Sequence, residues 1–313
     1  MLTGEPGMRK TTLTRAFIRQ LDEKRYDIGL MMKRILLNTM VALSFCAPLA
    51  PAGALHATAA PPLPNETFIY NIKLLFFTKA AQGELNFRRI EGNRYKAELI
   101  AETKGLVGVL MYGRKNHYIS EMVFDPKQRR FISHLYTKLI HKHDGTERTT
   151  AAIDPKNRTV RWEYFWKDKL EGNGVDPMPP GARVEDLLSA FFNFRNGGLG
   201  ALAPGKKVTL FSLPDYKAKA TDKNPEGEEK KFQRFEIRIP TAKVEREYRV
   251  KYERKEKKGV LALVKVPKNL FGQETGEVRV WLDTNMVPLA ATVEDAILFG
   301  DVYGVLVKPE TTR

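Results

Sequence analysis

Residues 182–196, ARVEDLLSAFFNFRN, decide how the rest of this chain is read. Val184, Leu187, Leu188 and Phe191 fall three and four apart, with Arg195 a turn further on, so one apolar stripe runs along a helix over Val184–Arg195. Pro179-Pro180-Gly181 opens it, and Glu185 and Asp186 stand in its first turn, where carboxylates favour the positive end of the helix dipole. Gly197-Gly198 closes it. The chain on both sides reads as β-strands. The expected fold is therefore mainly β: a single curved antiparallel sheet, a half-barrel or open barrel, packed on one central α-helix.

Working outward, strand patterning begins at Thr67–Phe77 and Gly83–Ile90, and Tyr95–Thr103 alternates apolar with polar as a strand with one wet face does. Gly105–Met111 is apolar without alternation, which suits a buried strand or a short helical turn. Further strands are expected over His117–Phe124, Arg130–Lys142, Glu147–Ile153 and Arg158–Lys167, with Asp144-Gly145 as a hairpin turn. Asn173-Gly174 ends this half. Beyond the helix, Lys206–Leu213, Lys231–Pro240, Val244–Glu256, Gly259–Val266, Thr275–Leu282 and Val287–Val293 read as strands, followed by an apolar run over Ala296–Val307. The polar stretch Pro214–Lys230 reads as a loop or hairpin tip. No internal repeat and no βαβ unit is visible.

The chain has 313 residues, a net charge of +15 and one cysteine. Met31-Met32-Lys33-Arg34, an apolar run to Ala47 and a small-residue exit ending at Ala54 are the three parts of a secretory signal peptide. The expected organisation is a mis-assigned or disordered extension over 1–30, a signal peptide over 31–54 cleaved near Ala54, a linker over 55–64 and one β-rich domain over 65–313. A periplasmic location follows. Cys46 lies within the signal and follows bulky Phe45, which argues against lipidation. The basic and acidic side chains beyond residue 54 leave a surplus of +11, spread through the strands rather than clustered. That pattern permits peripheral contact with an anionic membrane and gives no reason to expect a nucleic-acid partner.

Chemistry-bearing motifs are sparse. Gly4–Thr12 imitates a phosphate-binding loop, but Arg9 stands where the second glycine must let the backbone wrap a phosphate. No cofactor is expected. His141, His143 and Asp144 are a weak metal candidate, since residues two apart on a strand share a face. No G-x-S-x-G elbow is present, Ser189 lies within the helix, and adjacent Glu185 and Asp186 point apart, so no catalytic residue is assigned. Asp186 and Arg195, nine residues apart, cannot pair with one another and must find partners elsewhere.

Trp162, Tyr164 and Trp166 share one face of their strand. With Phe191 and Arg195 they form the candidate ligand-binding set, for a lipid or lipoprotein acyl chain held in the hollow of the sheet. The leading expectation is a non-enzymatic binding or assembly protein of the cell envelope. The alternatives are an enzyme or binder acting on an acidic envelope glycan through Arg246, Arg249 and Lys251, and a structural scaffold of an envelope complex.

Tyr95-Lys96-Ala97 with Thr103 and Gly105, Asp186–Phe192 with Arg195, Val280-Trp281-Leu282-Asp283 followed by Val287-Pro288, and Gly300 together resemble an exported bacterial family, domain-of-unknown-function family 3108. The resemblance spans roughly Glu66 to Val307. It implies an envelope protein with a curled antiparallel sheet; the family offers no established activity, so it supplies no catalytic residue to carry over.

Overall fold

A computed structural model describes residues 63–311 except 75–76, 111, 200–202, 222–229, 252–258, 267–275 and 294–300. The expected signal peptide, its cleavage point and nearly all of the linker lie outside these residues. Among the described residues, fifteen strands form one sheet. The first eight are β1 (Glu66–Leu74), β2 (Phe77–Glu91), β3 (Arg94–Thr103), β4 (Lys115–Asp125), β5 (Arg130–Lys142), β6 (Gly145–Asp154), β7 (Thr159–Trp166) and β8 (Lys169–Pro177). The remainder are β9 (Val184–Glu185), β10 (Lys207–Ser212), β11 (Gln233–Arg238), β12 (Val260–Lys265), β13 (Glu277–Leu282), β14 (Pro288–Val293) and β15 (Val302–Thr311).

The strand order is β8-β7-β6-β5-β4-β3-β2-β1-β15-β14-β13-β12-β11-β10-β9. Each sequence neighbour within the two runs is a hydrogen-bonded partner, antiparallel in every pair but one, as short hairpin connections require. The runs join where β1 pairs with β15, from Glu66 opposite Thr311 to Leu74 opposite Val302. The sheet's edges, β8 and β9, are separated in sequence by only six residues and are not hydrogen-bonded to each other, so the sheet is open. One pairing departs from the expected antiparallel pattern: β9 runs parallel to β10.

The inward faces converge on one core. Phe68 and Tyr70 of β1, Phe87 of β2, Phe131 of β5, Trp162 of β7, Phe235 of β11, Val264 of β12 and Val280 of β13 all belong to the same buried cluster. Residues two apart along a strand share a face, so this shared membership means that the sheet curls around its own interior. Alternation is clean in β3 and β4, where buried and half-exposed positions follow one another.

The expectation of one central helix is corrected. Among the described residues there are four short helices: α1 (Gly105–Leu110), α2 (Leu187–Arg195), α3 (Tyr216–Thr221) and α4 (Ala242–Lys251). None is long and apolar enough to cross a membrane. α2 is the interior helix, but it starts later than its apolar spacing suggests. Val184 and Glu185 belong to β9, and Asp186 is the N-cap rather than a first-turn residue. Leu188 to Arg195 are buried on every side, including Ser189 and Asn193. The helix is sunk in the core, not laid across it, so a single apolar stripe under-describes it. Gly197 ends it at φ +72°, the left-handed conformation that side chains resist, while Gly198 N–H donates to Asn193 O at 2.7 Å.

The segment 242–251 forms α4, not the expected strand. Val244 and Tyr248 are four apart, and Tyr248 packs with Leu261, Leu263 and Trp281 in a second, smaller cluster. These residues alternate with the main-core residues Ala262, Val264, Val280 and Leu282, so α4 covers the outer face of β12 and β13. β8 was also hidden in the sequence: it runs through Asn173-Gly174, the point at which the first half was expected to end.

Candidate functional site

The enclosed face of the sheet carries two polar regions, and they differ in how completely their groups are satisfied. The first surrounds α2. Asp186 Oδ1 accepts the N–H groups of Leu188 at 2.8 Å and Ser189 at 2.9 Å, and its Oδ2 accepts the Ser120 hydroxyl at 2.7 Å. Asn193 joins the helix to β5 as a strand would: its Oδ1 accepts Phe131 N–H at 2.5 Å and its Nδ2 donates to Phe131 O at 2.6 Å. Glu185, 1% exposed, accepts from Arg130 at 2.7 Å and from Asn193 Nδ2 at 3.0 Å. Burial pushes the Glu185 carboxyl up to about 7 against the pull of the Arg130 guanidinium. Arg195 makes a two-pronged ion pair with Glu66 on β1, with both side chains buried, and its guanidinium also lies 5.0 Å from the Phe68 ring. Asp186 and Arg195 thus find separate partners, as their spacing demanded.

The second region lies on β4 to β7, toward the end of the sheet that carries α1. Its residues fall in register. Tyr118 stands opposite Lys138, Lys138 opposite Thr149 and Thr149 opposite Tyr164. One step further out, Asn116 stands opposite Ile140, Ile140 opposite Glu147 and Glu147 opposite Trp166. Glu147 holds the ammonium groups of both Lys142 and Lys217. Burial raises the Glu147 carboxyl, but the two lysines outweigh it and hold the group at about 2. Arg114 is 5% exposed, and its Nε donates to Asn116 Oδ1 at 3.1 Å. No carboxylate among the described residues lies within ion-pairing distance of it. The Tyr118 hydroxyl, the Tyr216 hydroxyl and the Trp162 indole N–H are all buried without a hydrogen-bond partner.

α3 seals this region. It follows β10 in the chain yet packs on β7 and β8, so it bridges the two edges of the sheet that hydrogen bonds leave apart. Tyr216 stacks on Trp162 with ring centres 5.1 Å apart. The approach depends on two glycines of β8. A Cβ on Gly172 would lie 2.6 Å from the Ala220 Cβ, and one on Gly174 would lie 3.0 Å from the Trp162 indole nitrogen.

The structure divides the candidate ligand-binding set. Trp162 and Tyr164 are buried on the enclosed face as expected, while Trp166 is half-buried at the rim, its ring 5.0 Å from the Lys142 ammonium. Phe191 is fully buried, edge-on to Phe192 at 4.8 Å. Phe191 and Arg195 belong to the α2 region and Trp162 and Tyr164 to the α3 region, with no ring contact joining the two among the described residues. The metal candidate does not assemble. His141 Nδ1 lies 3.1 Å from the Thr146 hydroxyl, His143 stacks on Tyr112 at 4.6 Å, and no group of three or more ligating side chains forms among the described residues. Arg246 and Arg249 lie on α4, not on a strand face, and Arg249 is bound to Glu245. Sequence reasoning missed Arg114, Tyr118, Glu147, Lys217 and Tyr216. The alternation of Arg114, just before β4, with Asn116 and Tyr118 on it was a signal, but polar residues at alternate positions read as a solvated face.

The fold and this partly satisfied interior define a class: a mainly β protein whose open sheet curls around its own core. The chain belongs to the family described as protein of unknown function (DUF3108), whose sequence profile matches residues 69–306. Among solved structures it is similar to a beta-barrel-like protein of domain of unknown function DUF1849 from Brucella abortus. That match has a TM-score of 0.42 and 10% identity, and it covers 80% of this chain and 99% of that one. A comparison with the curated proteins finds no match.

Proposed function

We propose that the protein is a non-enzymatic binding protein of the periplasm that holds an amphipathic ligand, such as a lipid or lipoprotein acyl chain, against the enclosed face of β4 to β7. The observation that carries this reading is the set of three donors, Tyr118 Oη, Tyr216 Oη and Trp162 Nε1, buried with no protein partner beside apolar rings. Buried polar groups are nearly always hydrogen-bonded, because each one left without a partner costs about 1–3 kcal/mol. Three in one neighbourhood support a place where a bound molecule would supply the acceptors. The end of the sheet nearest Arg114 also exposes Leu106, Val109 and Tyr112 beside Lys104 and Lys115, an edge suited to exchange with an anionic membrane surface.

The test is native mass spectrometry of protein purified from its own host, followed by solvent extraction and identification of what is released. A co-purifying amphiphile that is lost after Trp162→Ala supports the reading. Protein that is empty in every preparation, and that takes up no amphiphile added to it, overturns it.

A further inference from the structure

Among the described residues, Arg114 is a buried cation that no carboxylate compensates. A buried guanidinium is retained where an anion or a full set of acceptors compensates the lost hydration. Arg195 meets that requirement with Glu66, and Arg130 with Glu185. Arg114 has one neutral acceptor, Asn116 Oδ1. The carboxylates whose charge is felt nearby are already engaged. Glu147 is shared by two lysines, and Asp215 Oδ1 accepts the N–H groups of Lys217 and Ala218 at the start of α3. Lys138 adds a further half-buried cation opposite Tyr118. Counting Arg114, Lys138, Lys142 and Lys217 against Glu147 and Asp215, the neighbourhood has an uncompensated positive charge.

Geometry directs that charge to one place. Arg114, Asn116 and Tyr118 are two apart along the extended chain, and all three are buried on the enclosed face. The guanidinium therefore shares its face with a phenol hydroxyl that has no acceptor. A planar fork of N–H donors on the same enclosed face as a partnerless O–H donor suits an oxyanion, which accepts from several donors at once and returns the missing charge.

We infer that Arg114 and Tyr118 form an oxyanion-binding site that receives the carboxylate or phosphate head of the ligand, with the apolar remainder lying toward Trp162 and Tyr164. This rests on the binding role proposed above and names the ligand's chemical class: an anionic amphiphile, not a neutral one. Asn116 positions the guanidinium by accepting from its Nε, which leaves the terminal nitrogens for the ligand.

The experiment is calorimetric titration of the full-length mature protein and of the variants Arg114→Gln and Tyr118→Phe with dodecyl phosphate, dodecyl maltoside and inorganic phosphate. The wild type is expected to bind dodecyl phosphate at least about tenfold more tightly than the neutral maltoside, the scale of one charged hydrogen-bond set. Arg114→Gln should erase that preference by lowering dodecyl phosphate affinity about tenfold. Tyr118→Phe, which deletes one partnerless hydroxyl and keeps the ring, should lower phosphate-head affinity about fivefold and still melt with the wild type, so the test stands even where Arg114→Gln folds poorly. Equal affinity for both detergents, unmoved by either variant, overturns the oxyanion site and leaves the amphiphile reading intact. Binding of neither detergent overturns the amphiphile reading. In that case Arg114-dependent binding of inorganic phosphate still supports the oxyanion site, and its absence removes that too.

Discussion

The two polar regions inside this sheet are built from the same residue types and are satisfied to different degrees, although the Nε atoms of Arg130 and Arg195 near α2 are also buried without an acceptor. Around α2, the carboxylates of Asp186 and Glu185, the amide of Asn193 and the Arg195–Glu66 pair are held by named partners at both ends of each bond. Under α3, the Tyr118 and Tyr216 hydroxyls keep donors without acceptors, and Arg114 has a neutral acceptor in Asn116 rather than a carboxylate. The difference teaches that burial alone does not identify a structural polar network. Completeness does. A closed network ties elements of the fold together, and an unclosed one leaves donors whose acceptors the described residues do not supply.

Mutations should separate the regions by the size of their effect on stability. Arg195→Ala leaves the Glu66 carboxylate buried alone and is expected to cost about 4 kcal/mol in chemical denaturation, the usual scale for breaking one side of a buried ion pair. A loss below 1 kcal/mol would erase the claim that the α2 network is structural.

The next largest effect is the response to pH, and here the two regions have opposite signs. Glu185 is raised from an ordinary 4.5 to about 7, so between those values the folded state holds a proton that the unfolded state has released. Stability then falls as pH rises through that window, by about 3 kcal/mol in total. Glu147 is lowered from 4.5 to about 2, so its contribution is fully present above 4.5 and is lost as pH falls toward 2, again by about 3 kcal/mol. Together they place a stability maximum near pH 4.5. Glu185→Gln should flatten the neutral limb and Glu147→Gln the acid limb, as read from urea midpoints across pH. A variant that flattens the opposite limb would reverse the assignment.

Smaller effects sharpen the contrast. Gly172→Val drives a side chain into Ala220 and should cost about 2 kcal/mol by lifting α3 from β8. Quenching of Trp162 fluorescence by acrylamide should rise with it. Ser120→Ala removes a hydroxyl that donates to Asp186 and should cost about 1 kcal/mol, whereas Tyr118→Phe removes one that donates to nothing and should cost about zero in the absence of ligand. Equal costs for these two would break the comparison at its root.

The physical reasons why some of this was legible in the sequence and some was not are specific. Period-two alternation exposed β3, β4 and β7, and the buried rod 187–195 announced itself through three phenylalanines and a closing glycine. β8 was hidden because an edge strand that glycines thin for a neighbouring helix carries little apolar signal. α4 was mistaken for a strand because Val244 and Tyr248 fit both periods when charges fill the gaps, and the outer-face cluster that decides between them comes from β12 and β13. The α3 region was beyond local reading. Lys217 meets Glu147 across 70 residues of chain, and Tyr216 meets Trp162 across a gap that only the curl of the sheet creates.

The strand order has a consequence for how the molecule comes into being. Since β1 and β15 are partners while β8 and β9 form the borders, each run of hairpins can zip locally as it leaves the ribosome, but the rung that unites them waits for the final strand. Until then β1 presents a bare flank open to mispairing with another nascent chain. A permuted gene that starts at β9, ends at β8 and links β15 to β1 through a short turn would make that rung a local hairpin. It should refold faster than the natural order with the same final stability.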